Sequence, residues 1–159
     1  MSKHFGITIA ERGSAIVAVD RGADDGLLVV GIERLPFSLA AVTERVRALD
    51  DPEARFVVDA EGLGSALWSA LGSPKDARRW SLYAGRGFDR QALADGLLVA
   101  MLEGRFHFAA GLAEQEAMSK ALAGYRRQVR EDGELGSELV VALCLALIPG
   151  PRRYRHASF

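Results

Sequence analysis

The stretch Arg55-Phe56-Val57-Val58-Asp59-Ala60-Glu61-Gly62-Leu63-Gly64 decides the fold. Its first five residues form a short, almost wholly apolar run that closes on an acid. Such a run has no face left for water, so it predicts a strand covered on both sides, the usual state of a parallel strand. A glycine loop follows, and 65–71, with Trp68, predicts a short helix. Strand, glycine loop and helix make an α/β unit. Asp59 ends the buried strand, where open α/β sheets bind ligands, and its carboxylate is an oxygen donor suited to a divalent cation. Gly62 and Gly64 allow positive φ and close backbone approach to a bound cofactor. An equally simple role for Asp59 is to cap the amides of its own loop. No lysine follows these glycines in a P-loop arrangement, which disfavours a triphosphate cradle.

Upstream, the pattern changes. Phe5, Ile7 and Ile9 alternate at period two and predict a strand over 4–10. A turn at 11–14 leads to a second strand over 15–19, and a loop at 20–26 to a third over 27–35. Short turns between consecutive strands predict an antiparallel meander. After Pro36, Leu39, Val42, Val46 and Leu49 recur at spacings of three and four, with Glu44, Arg45 and Arg47 opposite. That is an amphipathic helix, with Ser38 as its N-cap.

Downstream, 79–84 predicts a fifth strand and 88–103 a helix. Residues 105–108 form a brief extended piece, 112–130 a long helix, and 137–148 a last apolar helix capped by Ser137. The whole reads as a five-stranded mixed sheet, meander first and parallel strands after, flanked by helices. Residues 1–150 form the one expected domain and 151–159 a basic tail, Arg152-Arg153-Tyr154-Arg155-His156 within it.

Composition sets the outer limits. A chain of 159 residues with 49% hydrophobic and 26% charged residues builds one ordinary globular core. A net charge of -1 excludes a strongly basic nucleic-acid coat but not a local basic groove. The single cysteine, Cys144, lies in an apolar run and excludes an internal disulfide framework or a multi-cysteine zinc site. Without a long apolar run or a signal-like N-terminus, the expected location is the cytoplasm and no membrane partner is expected. Seventeen arginines against three lysines suit phosphate recognition, although arginine-rich coding bias yields the same count.

The run from Val57 to Leu147 resembles the nuclease domain of phage terminase large subunits, in the ribonuclease H-like superfamily. The resemblance rests on Val57-Val58-Asp59-Ala60-Glu61-Gly62-Leu63-Gly64, on the element order from Trp80 to Arg130 with Tyr125-Arg126-Arg127, and on Gly136-Ser137-Glu138 before the last helix. It implies a ribonuclease H-like fold, Asp59 and Glu138 as metal-binding and catalytic acids, and Mg or Mn as cofactor when the site is active. It also implies DNA and phage packaging proteins as partners. The strand-one frame of the family is matched by Phe5-Gly6-Ile7-Thr8, which puts Thr8 where an acid belongs. Two-ion phosphodiester cleavage needs enough acids to clamp both ions, so this loss predicts weakened metal loading. Glu11 and Glu33 are the nearby acids, but the pattern sets Glu11 in a turn and Glu33 toward solvent, which argues against either as a substitute.

Two functions follow. One is a catalytically degenerate nuclease-like domain, acting as a DNA- or protein-binding module of phage or prophage origin. The other is an active metal-dependent endonuclease using Asp59 and Glu138. Arg126, Arg127 and Arg130 are the expected phosphate contacts, the alternative being a solvated helix face. Glu138 also suits the first turn of a helix by the helix dipole alone. His4, His107 and His156 have no ligand spacing. No Walker A sequence accompanies them, so no packaging motor is expected. An actin-like ATPase needs an acid on strand one, and Thr8 argues against it.

Overall fold

In the computed structural model, residues 2–11, 13–49, 51–84, 88–128 and 137–148 are described. Strands β1 (Ser2–Ala10), β2 (Gly13–Arg21) and β3 (Leu27–Leu35) form the meander. Helix α1 (Leu39–Ala48), strand β4 (Arg55–Asp59), helix α2 (Gly64–Ala70) and strand β5 (Trp80–Tyr83) follow. Helix α3 (Phe88–Leu102), strand β6 (Phe106–Phe108), helix α4 (Gln115–Gln128) and helix α5 (Glu138–Ala146) complete the order. The sheet runs β5-β4-β1-β2-β3-β6. β1, β2 and β3 pair antiparallel, while β4 joins β1, β5 joins β4 and β6 joins β3 in parallel.

The sheet therefore has six strands where five were expected. The sixth is the extended piece at 106–108. Leu27 pairs with Phe106, and backbone bonds from Leu27 N to the Arg105 carbonyl and from Ala109 N to the Val29 carbonyl lock it onto β3. Three residues give too short a pattern to distinguish an edge strand from a loop. Helix α4 starts at Gln115 rather than near 112, because Gly111 and Glu114 both adopt positive φ in the turn before it.

Period-two alternation divides the core. Phe5, Ile7, Ile9, Ile16, Phe56 and Val58 pack against α1 and α2. Ala15, Val17, Val19 and Val29 pack against α3, α4 and α5. Phe5, Phe56 and Trp80 stack across three strands with centroids 4.9 and 4.2 Å apart.

After Glu138, helix α5 is apolar all round and buried accordingly at every position from Leu139 to Ala146 except Val141. It lies directly on β1. A Cβ on Gly6 would overlap the Ala142 carbonyl oxygen and stand 2.6 Å from the Ala146 nitrogen. Glycine at that place is what lets helix and strand backbones touch. At the other end, a Cβ on Gly13 would stand 3.5 Å from Glu138 Oε1. α5 thus runs antiparallel to β1, with its N-terminus over the carboxyl end of that strand. Between β2 and β3 the register slips at Ala18/Val19, where Val19 pairs Val29 and Ala18 pairs Gly31. Val30 is the extra residue of a β-bulge.

Candidate active site

Asp59 ends β4 and is 2% exposed. Val57 pairs with Gly6, which faces α5, so Asp59, two residues on, faces α5 as well. Its Oδ1 accepts the Glu61 backbone N–H at 3.1 Å. That bond is the local amide cap considered from the sequence.

The glycines behind it answer to the chain's own backbone. Gly62 has φ of 60°, and a Cβ there would overlap the Ile9 carbonyl oxygen. The same oxygen accepts the Leu63 N–H at 3.0 Å. A Cβ on Gly64 would overlap the Asp59 carbonyl oxygen. Both positions bring the loop against β1 and β4, a reason for glycine that involves no cofactor.

Thr8 is 3% exposed and pairs with Ala15 on β2. It lies one residue past the Ile7–Val58 pair, at the carboxyl end of β1 beside that of β4. Being two residues beyond Gly6, it faces α5. Glu138 opens α5, after Ser137, whose hydroxyl accepts the Leu139 N–H at 3.3 Å. Thr8, Asp59 and Glu138 therefore share one end and one face of the sheet.

Two further residues join them. Arg34 Nη2 donates to Glu138 Oε1 at 3.2 Å, and Arg34 Nη1 lies 4.0 Å from Glu114 Oε2. The Glu138 side chain is 10% exposed, and among the described residues this guanidinium is its ion-pair partner. Neither Arg34 nor Glu114 stood out in the sequence as part of a site. Arg34 pairs with Ala15 and so faces α5. Glu33 pairs with Ile16 and faces α1, where it binds Arg45 at 2.8 Å. From that face it does not stand beside Thr8 and Asp59. Glu11 lies exposed in the turn after β1.

Among the described residues, no three of His, Cys, Asp and Glu gather as a metal site. Glu114 reaches this end through Arg34, beside the two acids that the sequence singled out, Asp59 and Glu138. Asp59 has an oxygen bound to a loop amide and Glu138 an oxygen bound to a guanidinium. His4 is buried at the opposite end of the sheet, His107 is exposed on β6, and His156 lies outside the described residues. Cys144 is buried on α5, as its apolar run predicts. Arg126 and Arg127 fall in the last turn of α4, whereas Arg130 and 151–159 lie outside the described residues.

Strand order and the helix laid along the sheet match the ribonuclease H-like fold of solved terminase nucleases. The large terminase nuclease from thermophilic phage G20c, solved with bound cobalt, superposes with a TM-score of 0.65 at 18% identity. The match covers 91% of this chain and 79% of that one. The human cytomegalovirus terminase nuclease domain, soaked with manganese and carrying an inhibitor, gives a TM-score of 0.60 at 14% identity. It covers 91% of this chain and 81% of that domain. No family model and no curated protein matches the sequence.

Proposed function

We propose that the chain is a degenerate terminase-nuclease-like module that binds DNA or a phage packaging protein rather than cutting DNA. One observation carries this reading. The Glu138 carboxylate, its side chain 10% exposed, pairs with Arg34 at 3.2 Å, so a cation of the protein itself already engages an acid that the resemblance assigns to a metal. Thr8, on the strand-one frame, removes a further acid. Arg126, Arg127 and Arg130 are the proposed phosphate contacts. Phage or prophage origin and action in the cytoplasm belong to the same proposal. No helix among the described residues is long and apolar enough to cross a membrane.

A second reading is an active endodeoxyribonuclease that loads Mg or Mn on Asp59 and Glu138. It is favoured by the shared face and end of those two acids. Plasmid cleavage in manganese, wild type against Asp59→Ala, separates the two. The degenerate reading expects intact plasmid at high protein and no heat of manganese binding by calorimetry. Cleavage that disappears in Asp59→Ala would establish the nuclease instead.

A further inference from the structure

The end of the sheet remote from Asp59 carries a basic cluster. His4 pairs with Val19 on one side and with Arg55 on the other, and Arg21 lies two residues past Val19. All three face α5, beneath its C-terminal end. Arg21 donates to the Leu147 carbonyl and Arg55 to the Arg78 carbonyl at 3.3 Å. Neither guanidinium has a carboxylate within ion-pair distance among the described residues. Among the described residues, the buried Nε of each guanidinium has no hydrogen-bond partner. Part-buried guanidiniums are costly unless counter-charges or hydrogen bonds offset them.

A cavity of about 310 Å³ opens beside Arg21. Arg21, Asp25 and Arg105 line its polar part, and Leu97, Cys144 and Leu147 are among its apolar walls. Arg105 is placed by its Nη1 bond to the Asp25 carbonyl at 3.3 Å and by its Glu103 partner at 2.5 Å. Asp25 offsets part of the charge on Arg21, while Arg105 and Arg55 oppose it. Guanidinium forks match tetrahedral oxyanions in charge and geometry.

We propose that this cavity is an oxyanion site, seating a phosphate group between Arg21 and Arg105 and offsetting the charge of Arg21 and of Arg55 behind it. The phosphate is either free or part of a nucleic-acid backbone. The site is independent of the acids at the opposite end of the sheet.

The test compares inorganic phosphate, chloride at equal ionic strength and a short DNA duplex, using the whole chain. Phosphate is expected to raise Tm by about 4 °C at a tenfold excess over its Kd. It should also move the His4 imidazole titration upward in an NMR pH series, because a bound anion offsets the two guanidiniums that hold it down. Arg105→Ala, at the partly exposed mouth, should weaken phosphate binding at least tenfold. Arg21→Gln should do the same if it folds, and Arg105→Ala carries the comparison if it does not. A duplex effect equal to that of phosphate identifies a backbone phosphate, and an effect of inorganic phosphate alone identifies a free one. Indistinguishable phosphate and chloride responses, or a phosphate response unchanged in Arg105→Ala, would overturn the proposal.

Discussion

At the scale of single residues, two side chains have measurable consequences. Arg34 is about half exposed, so its pair with Glu138 is screened by water and salt. Arg34→Met should lower stability by about 0.5–1 kcal/mol in urea unfolding, and the loss should shrink at high salt. His4 behaves differently. Burial first, then the charges of Arg21 and Arg55, lower its pKa from 6.5 to about 4. In the window between those values the unfolded chain takes up a proton that the folded chain refuses. Stability therefore falls as pH drops from about 6.5 toward 4, by roughly 2–3 kcal/mol in all. His4→Gln should flatten that slope in denaturant midpoints measured across the window. Ser38 and Ser137 were legible as caps, and both accept the amides expected of them. Asp59 was legible as the acid ending a buried strand, because an apolar run that stops on a carboxylate is unambiguous. The Arg34–Glu138 pair was not, since it joins positions 104 residues apart.

At the scale of elements, the contact between α5 and β1 governs where Glu138 stands. Its foundation is Gly6, where any side chain must displace the helix backbone rather than a flexible neighbour. Gly6→Ala should cost about 3 kcal/mol by denaturant unfolding, the upper range for overpacking. Gly64→Ala should cost a comparable amount, because the obstacle there is the Asp59 carbonyl. The apolar-Gly-apolar frame around Gly6 was legible as a family pattern, and the packing supplies its physical reason. The longer strands and helices were legible from their periods. β6 was not, since three residues pairing with a distant edge leave almost no local signal.

At the scale of the molecule, the sheet keeps its two chemistries apart: carboxylates at one end, a basic cluster at the other. Nearly zero net charge hides this division. DNA binding, if it runs through α4 and the residues after it, should show a salt dependence set by few phosphate contacts. Replacing Arg126, Arg127 and Arg130 with alanine should reduce the slope of log K against log salt by about 2–3, measured by fluorescence anisotropy. An unchanged slope would remove those arginines from the interface. The fold as a whole was legible because strand and helix periods agree along the chain. Which side chains meet across it depends on register, and register is where the last consequence lies. The bulge at Val30 sets the parity of everything that follows on β3. With unbroken alternation from Leu27, position 33 would look toward the carboxylates and position 34 away. The single surplus residue reverses this and delivers a guanidinium where a third carboxylate would otherwise arrive. The sign of the charge entering the site is thus decided by counting, one residue more or less, rather than by which amino acids the strand contains.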